Sequence, residues 1–354
     1  MGAGLGGFSG YFKGEVWVNK EPLISIIIPC YSDDRLNDIE ELVNSLEEQI
    51  YKNIETIFVV EHSVKLHDWL RGCANSKPSL NMKVIFNQGE PGASASRNLG
   101  IKKASGNIIA FIDDDVVLFP DWAQQMVNTY LQDDSVIGVA GSVEPLWEDE
   151  SMGWFPKELY WILGCTAWSG WSQRQEVRSG AGANMSFRRE GLEVIGGFLA
   201  SLGPQREKQK ARTEGIAEDA ELSIRIREKT GKPIIYNPTI KAAHKVHKYK
   251  LSLRWVTERS YGVGRSRRIM KQLYGQEDKS LLNPEHNLLK RIFAHLLPNI
   301  LRGFLASPLI AWRKLWVTVV SLLFVAIGYY LPPFFNPFQH LGVPSWKHYG
   351  VEQK

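Results

Sequence analysis

Acidic residues and one histidine occupy the positions where this sequence could do chemistry. Three consecutive aspartates, Asp113–Asp115, end the apolar run of FIDDDVV, and a second acidic pair, Glu218–Asp219, follows much later. His244 comes after the strand-like segment PIIYNP. Carboxylates bind hard divalent cations, which keep open positions for phosphate groups. The pattern predicts a metal that stabilises a diphosphate leaving group, with a separate carboxylate to accept a proton.

A structural explanation competes with this one for each acidic group. Buried carboxylates without partners are costly, so the triplet either ends a strand in solvent or holds a cation. Glu218–Asp219 could instead stabilise a helix start, where the helix dipole favours negative charge. We expect Asp113 and Asp115 to be functional and Asp114 to be a solvated strand end.

Apolar runs predict the elements that must position these groups. Five strands are expected in LISIIIPCYS, TIFVVEHS, KVIFN, NIIAFIDDD and SVIGVAGSV. Between them, Ile39, Leu42, Val43, Leu46 and Ile50 recur at helical spacing, and GASASRNLGIKKASG is typical of a helix closed by Gly106. This alternation indicates an open, mostly parallel α/β sheet with helices on both faces.

In such a sheet, ligands bind beyond the carboxyl ends of the strands. Three polar segments lie at predicted strand ends: Pro29–Ser32, Glu61–Ser63 and Asp113–Asp115. We therefore expect them to face one crevice.

Composition limits the class of protein. A chain of 354 residues that is 44% hydrophobic can bury a full core, which excludes general disorder. Its three cysteines, Cys30, Cys73 and Cys165, have no metal-binding spacing, which favours a reducing compartment. The segment 245–271 holds nine Lys or Arg residues and one acid, and such a basic segment is attracted to anionic lipid headgroups. Nothing else in the chain resembles a nucleic-acid motif, so we expect no nucleic acid as a partner.

The two ends of the chain differ. Residues 1–21 are glycine-rich, without a secretory pattern, and are expected to form a flexible leader. Leu315–Leu331 carry no charge and follow Arg313–Lys314. The aromatic residues Tyr329, Tyr330 and Phe334 lie at the far side of this segment. This length and flanking pattern favour a membrane-spanning or membrane-embedded helix over a buried core helix.

Five of the twelve tryptophans fall between positions 147 and 171. Trp147, Trp154, Trp161 and Trp168 are seven residues apart, and Trp171 follows. A tryptophan-rich core and a surface for sugars or a membrane interface are equally compatible with this pattern.

The motifs together resemble glycosyltransferase family 2, the metal-dependent inverting enzymes with the GT-A fold. SIIIPCYS, VVEHS, GASASRNLGI and IIAFIDDD resemble its nucleotide-binding core, and GANMSFRRE and AEDAELSIRI its acceptor-side motifs. The resemblance covers about residues 23–247 and implies a sugar transferase with Mg²⁺ or Mn²⁺ and a UDP-sugar or GDP-sugar donor.

The resemblance also implies roles for individual positions. Pro29, Tyr31 and Glu61 would line the nucleoside pocket, with Arg97, Asp113 and Asp114 at the nucleotide-sugar. Asp115 would bind the metal with His244, for which His247 is an alternative. Asp219 would be the general base with Glu218 beside it. The acceptor-side residues would be Gly182, Asn184, Trp168 and Arg265.

The tryptophan-rich insertion, the segment RSYGVGRSRRIMK and the apolar C-terminal helix are similar to those of a narrower set. These are archaeal transferases that extend dolichyl-phosphate-linked glycans, such as glucuronosyltransferases acting on a glucosyl-dolichyl lipid. We therefore expect a cell-membrane enzyme of N-glycan assembly with a cytoplasmic catalytic domain, whose acceptor is a dolichyl or polyprenyl phosphate or its glycan. Synthesis of cell-surface polysaccharide or glycolipid is an alternative. A metal-dependent nucleotidyltransferase and a non-enzymatic membrane scaffold are more remote.

We expect five segments along the chain. They are the leader 1–21, a nucleotide-sugar-binding half 22–143, an acceptor-binding and catalytic half 144–250, basic amphipathic membrane-proximal helices 251–314, and a hydrophobic membrane helix with its tail 315–354.

Overall fold

The computed structural model describes residues 21–199, 218–275 and 283–331. The predicted leader up to residue 20, Phe334 and the tail from residue 332 lie outside them. The strands are β1 Ile24–Cys30, β2 Ile54–Val60, β3 Met82–Phe86, β4 Ile108–Phe111, β5 Val116–Leu118, β6 Gly138–Trp147, β7 Gln175–Val177, β8 Met185–Arg188 and β9 Ile234–Val246.

These strands form one sheet in the order β3-β2-β1-β4-β8-β6-β9-β5, with β7 paired to β9. The first four strands are parallel to one another, and β6 is parallel to β9. Only β5, β7 and β8 run in the opposite direction among the described strands. The predicted mostly parallel α/β sheet is confirmed.

Helices cover both faces of this sheet. They are α1 Leu36–Glu47, α2 Val64–Ser76, α3 Ala93–Lys103, α4 Trp122–Leu131, α5 Arg189–Ile195, α6 Glu218–Thr230, α7 Leu253–Tyr274, α8 Asn283–Arg291, α9 Leu297–Ala306 and α10 Pro308–Tyr330. Along β1, Ile26 and Ile28 belong to one buried cluster and Ile27 to the other. Because neighbouring side chains of a strand point to opposite faces, the sheet has a core on each side.

Two predicted element boundaries are wrong. α3 ends at Lys103 and not at Gly106, because the Gly106 amide donates to the buried Ser25 hydroxyl at 2.7 Å and the chain is already extended at Ala104. Ile50 lies beyond α1 and is 61% exposed. α1 packs on the core through the other predicted residues, Ile39, Leu42, Val43 and Leu46.

The long strand β9 was only partly predicted. It continues through Pro238 to Val246, so His244 lies within a strand. The pairing with β6 changes register between Gly141 and Ser142, where residues 238–240 of β9 have no partner in β6. The short strand β5, which follows the aspartate triplet, pairs with the distal half of β9 and places Val116 opposite His244.

All five tryptophans of the insertion pack against the buried core. Trp147, Trp154, Trp161 and Trp168 contact one cluster and Trp171 contacts the other. This packing favours the core interpretation of the tryptophan-rich segment.

The C-terminal helix α10 packs closely against α7. A Cβ atom built on Gly264 would lie 2.1 Å from the Val325 carbonyl oxygen, and one on Gly328 would lie 2.2 Å from the Tyr261 carbonyl oxygen. Small residues at facing positions let two helix backbones approach in this way. The predicted apolar helix is present, starts at Pro308, and is long and apolar enough to cross a membrane.

Candidate active site

A cavity of about 1010 Å³ lies at the carboxyl ends of the parallel strands. All the residues predicted to bind nucleotide or metal or to act in catalysis line it: Pro29, Tyr31, Glu61, Arg97, Asp113, Asp114, Asp115, Glu218, Asp219 and His244. The strand-end segments, the start of α6 and the end of β9 therefore converge as the parallel topology requires.

The aspartate triplet is less exposed than predicted. Asp114 is only 3% exposed, and its carboxylate is paired with Arg35 Nη1. The expectation of a solvated strand end at Asp114 is therefore wrong, because a basic side chain from the loop after β1 covers it. Asp113, whose side chain is 38% exposed, is the member of the triplet that faces the open cavity.

Asp115 lies at the centre of a group of basic side chains. Its Oδ1 is 3.0 Å from His244 Nε2, and its Oδ2 is 3.2 Å from both Lys250 Nζ and Arg35 Nη1. Burial alone raises the pKa of this carboxyl, but His244, Lys250 and Arg35 outweigh burial and hold the pKa well below its ordinary value. Asp115 is therefore an anion throughout the physiological range.

Three of these side chains form a donor set that can hold a metal ion. Ligand atoms of Asp113, Asp115 and His244 all lie within 4.8 Å of one another. Carboxylate oxygens with one imidazole suit Mg²⁺ or Mn²⁺. The Nε2 atom of His244 is the ring nitrogen that faces Asp115, while its Nδ1 is buried without a hydrogen-bond partner among the described residues.

His247, the alternative ligand, is held elsewhere. Its Nε2 lies 2.9 Å from Asp38 and its Nδ1 lies 3.4 Å from Glu148. This geometry favours His244 over His247 as a ligand. Both ring nitrogens of His247 thus face carboxylates.

Arg97 joins the triplet to the acidic pair on α6. This arginine is 3% exposed, with Nη2 at 3.1 Å from Asp113 and Nη1 at 3.3 Å from Asp219 and 3.5 Å from Glu218. The Gly182 amide also donates to Asp219 Oδ2 at 2.8 Å. One buried guanidinium thus fixes the separation between Asp113 and the candidate base Asp219.

The two carboxyls of α6 have different environments. Burial and the neighbouring Asp219 raise the pKa of Glu218 to about 8, and the buried Glu218 Oε2 has no hydrogen-bond partner among the described residues. Burial also raises the pKa of Asp219, but Arg97 and the Gly182 amide oppose that rise. At neutral pH Glu218 therefore holds a proton, beside the Asp219 carboxyl that Arg97 and the Gly182 amide fix in place.

The end of the cavity that is predicted to hold the nucleoside is built around Glu61. Both oxygens of this carboxylate lie within 3.1 Å of the Gly92 amide at the start of α3, and Ser96 also donates to Oε1. His62 has a φ of 59°, in the left-handed region, and its ring meets Tyr31 edge-on at 5.5 Å. Pro29, Tyr31 and Glu61, which the resemblance implies for the nucleoside pocket, therefore line the same cavity, and the start of α3 binds the Glu61 carboxylate.

The four predicted acceptor-side residues are dispersed. Gly182 is in contact with Asp219, and an added Cβ there would meet its carboxylate at 2.4 Å. Asn184 is fully buried, with its amide nitrogen 2.9 Å from the carbonyls of Ser142 and Ile240. None of the four, Gly182 included, is among the described residues that line the cavity.

Sequence reasoning missed several basic residues of the cavity wall: Arg35, Lys250, Arg254 and Arg259. Arg35 follows the carboxyl end of β1 closely, which is a positional signal that could have found it. The last three belong to the basic segment 245–271, which was expected to face lipid headgroups. Much of this segment's charge is instead turned inward, since Lys250 and Arg265 are buried and Arg267 is paired with Glu285.

Comparison with known proteins decides the family. The Glycosyl transferase family 2 model matches residues 25–196. A glucosyl-dolichyl phosphate glucuronosyltransferase of Haloferax volcanii is 31% identical over 259 residues, which are 73% of this chain and 80% of the relative. The chain belongs to glycosyl transferase family 2. It is accordingly a glycosyltransferase, and the rival interpretations as a nucleotidyltransferase or a scaffold are not supported.

Other relatives agree with this assignment. Glycosyltransferase AglE of the same organism is 29% identical over 126 residues, which are 35% of this chain and 40% of the relative. A mannosyltransferase of Pyrobaculum calidifontis, in complex with GDP-Man and Mn²⁺, superposes with a TM-score of 0.57 at 18% identity, covering 88% of each chain. The fold of this family 2 protein is that of the GT-A glycosyltransferases.

Proposed function

We propose that this enzyme moves a sugar from a nucleotide-sugar to a lipid-linked acceptor, a dolichyl or polyprenyl phosphate or its glycan, with inversion at the anomeric carbon. Its place would be N-glycan assembly at the cell membrane, with the catalytic domain on the cytoplasmic side. One observation carries the proposal: the aspartate triplet, His244 and the Glu218–Asp219 pair line one cavity. Similarity to a glucosyl-dolichyl phosphate glucuronosyltransferase supports the lipid acceptor.

The donor's nucleotide would occupy the wall formed by Pro29, Tyr31 and Glu61, with Arg97, Asp113 and Asp114 along the ribose and phosphates. Either UDP or GDP is compatible with this wall. Asp115 and His244, with Asp113 nearby, would hold Mg²⁺ or Mn²⁺. When bound, such an ion acts as a Lewis acid and neutralises charge on the departing diphosphate.

Asp219 is the candidate general base. Its carboxylate is fixed by Arg97 and the Gly182 amide, and its side chain is 24% exposed to the cavity. Glu218, protonated at neutral pH, limits the negative charge beside it. Asp219 would take the proton of an acceptor hydroxyl as that oxygen attacks the anomeric carbon in one displacement. An acceptor that is itself a phosphate would need the base less.

The acceptor would enter along the first turns of α7. Arg254, Trp255 and Arg259 line the cavity there. Guanidinium groups bind phosphate through paired, charge-assisted hydrogen bonds. We therefore assign binding of the acceptor phosphate to Arg254 and Arg259, in place of Arg265, which was predicted on the acceptor side.

Exposed apolar side chains support membrane association. Leu301, Leu305, Leu309, Trp312, Trp316 and Leu323 are each more than half exposed. They lie on α9 and α10. Contiguous apolar surface of this kind marks interaction sites, and tryptophan favours the membrane interface.

The test is a transfer assay with purified protein in detergent. UDP-sugars and GDP-sugars are offered with Mn²⁺, Mg²⁺ or a chelator, and with dolichyl phosphate, a glucosylated dolichyl phosphate or a lipid-free sugar as acceptor. We expect metal-dependent transfer to one lipid acceptor with inverted anomeric configuration, read by nuclear magnetic resonance. Transfer to lipid-free sugars alone would favour polysaccharide synthesis, and retained configuration would refute the single displacement.

A further inference from the structure

Lys250 occupies an unusual position for a lysine. It follows β9 in a short 3₁₀ turn, Lys248–Leu251, and is only 3% exposed. Its Nζ lies 3.2 Å from Asp115 Oδ2, 3.4 Å from His244 Nε2 and 2.9 Å from the Lys245 carbonyl oxygen. The ammonium therefore touches two of the three side chains that form the candidate metal site.

Burial of an ammonium is expensive unless an anion is close. Among the described residues, Asp115 is the one carboxylate within ion-pair distance of Lys250. Asp115 is shared with Arg35, so the buried Lys250 and the partly buried Arg35 already balance this carboxylate and Asp114 beside it. The charge around Asp115 is close to neutral before any divalent ion is considered.

A divalent ion bound by Asp115 and His244 would lie about 2 Å from each ligand atom. Lys250 Nζ lies within 3.4 Å of those same atoms, so the ion and the ammonium would be close neighbours of like charge. Such repulsion in a low-dielectric site is large unless an anion separates the two cations. The diphosphate of a nucleotide-sugar is an anion of suitable size and charge.

We propose that Lys250 makes metal binding depend on the donor: its ammonium opposes a divalent ion bound alone at Asp115 and His244, and it binds the diphosphate oxygens that arrive with the ion. A lysine suits this task because its flexible stem and three rotatable donors can move from a carboxylate to a phosphate. The inference rests on the proposed function. Lys250 thus couples binding of the divalent ion to binding of the nucleotide-sugar.

The test measures Mn²⁺ affinity directly, by electron paramagnetic resonance of free Mn²⁺, with and without UDP or GDP. Wild type is compared with Lys250→Met, and Lys248→Met is the matched control, since Lys248 is in the same turn but exposed and paired with Asp149. The coupling ratio is the Mn²⁺ affinity with nucleotide divided by the Mn²⁺ affinity without it. We expect Lys250→Met to bind Mn²⁺ alone about tenfold tighter or more, and its coupling ratio to be lower than that of wild type by about the same factor. Lys248→Met should behave as wild type.

An unchanged coupling ratio in Lys250→Met, or weaker binding of Mn²⁺ alone, would overturn the role of Lys250. If this variant does not fold, Lys250→Gln gives the same comparison, and Lys250→Arg should retain the coupling because it keeps the charge. A wild-type protein that binds neither Mn²⁺ nor either nucleotide would instead refute the proposed function. The two failures are therefore distinguishable.

Discussion

Replacing Glu218 by glutamine should remove a pH dependence from the stability of this protein. Burial and Asp219 raise the pKa of Glu218 from its ordinary value of 4.5 to about 8 in the folded chain. Between those values the folded protein holds a proton that the unfolded chain has lost. Stability must therefore fall as the pH rises through this window, since the folded state binds more protons.

The size of the effect follows from the two pKa values. Each pH unit in the window corresponds to about 1.4 kcal/mol, so the complete loss is about 3 to 5 kcal/mol. Glutamine resembles the protonated acid and does not titrate. Wild type should therefore lose about 3 kcal/mol of unfolding free energy between pH 5.5 and pH 8.5 that Glu218→Gln retains.

Urea unfolding in a fixed mild detergent, followed by tryptophan fluorescence at the two pH values, measures this difference. Glu228→Gln is the matched control, because Glu228 is on the same helix but exposed. It should show the same pH dependence as wild type. A gap between Glu218→Gln and wild type that stays constant, or narrows, with rising pH would refute the protonated state of Glu218.

Three further predictions concern the base, the metal and the membrane face. Asp219→Asn should lower transfer about 10³-fold while donor affinity by calorimetry stays near wild type, and lost donor binding would make Asp219 a structural partner of Arg97. Asp115→Ala should abolish transfer and lower Mn²⁺ affinity in the presence of nucleotide. Near-normal activity of this variant would show that the metal binds to other residues. The double variant Leu305→Gln, Leu309→Gln should shift protein from the membrane pellet to the supernatant, and unchanged partition would contradict membrane insertion of this face.

The sequence predicted the location of the acidic residues well because parallel strands have one carboxyl edge in common. Motifs that follow β1, β2 and β4 must meet there, whatever the details of the loops. The acidic start of α6 could be added through the family resemblance. Apolar periodicity likewise located α1 and α10, although Ile50 lies beyond α1 and α10 begins at Pro308.

The basic partners of those acids could not be predicted in the same way. Arg35 and Asp114 are far apart in the chain, and their ion pair depends on how the loop after β1 folds back. Lys250 is one of nine basic residues between positions 245 and 271, and only the end of β9 determines that it turns inward. Net charge per segment does not reveal which charges a fold will bury, so the basic segment was assigned to lipid rather than to the cavity.

The close contact between Gly264 and Val325 fixes the position of α7 relative to α10. Arg259 on the cavity wall is five residues before Gly264 on the same helix, a rise of about 7.5 Å. Because α7 runs from the reactive cavity to its contact with α10 without a flexible linker, the distance between the reaction centre and this apolar helix is fixed. If α10 lies in a membrane as proposed, the reaction centre stands at a set height above the lipid surface. Under the proposed function, an acceptor sugar reaches that height only if the glycan that links it to the lipid has the right length. The α7–α10 contact would then select acceptors by the length of their glycan.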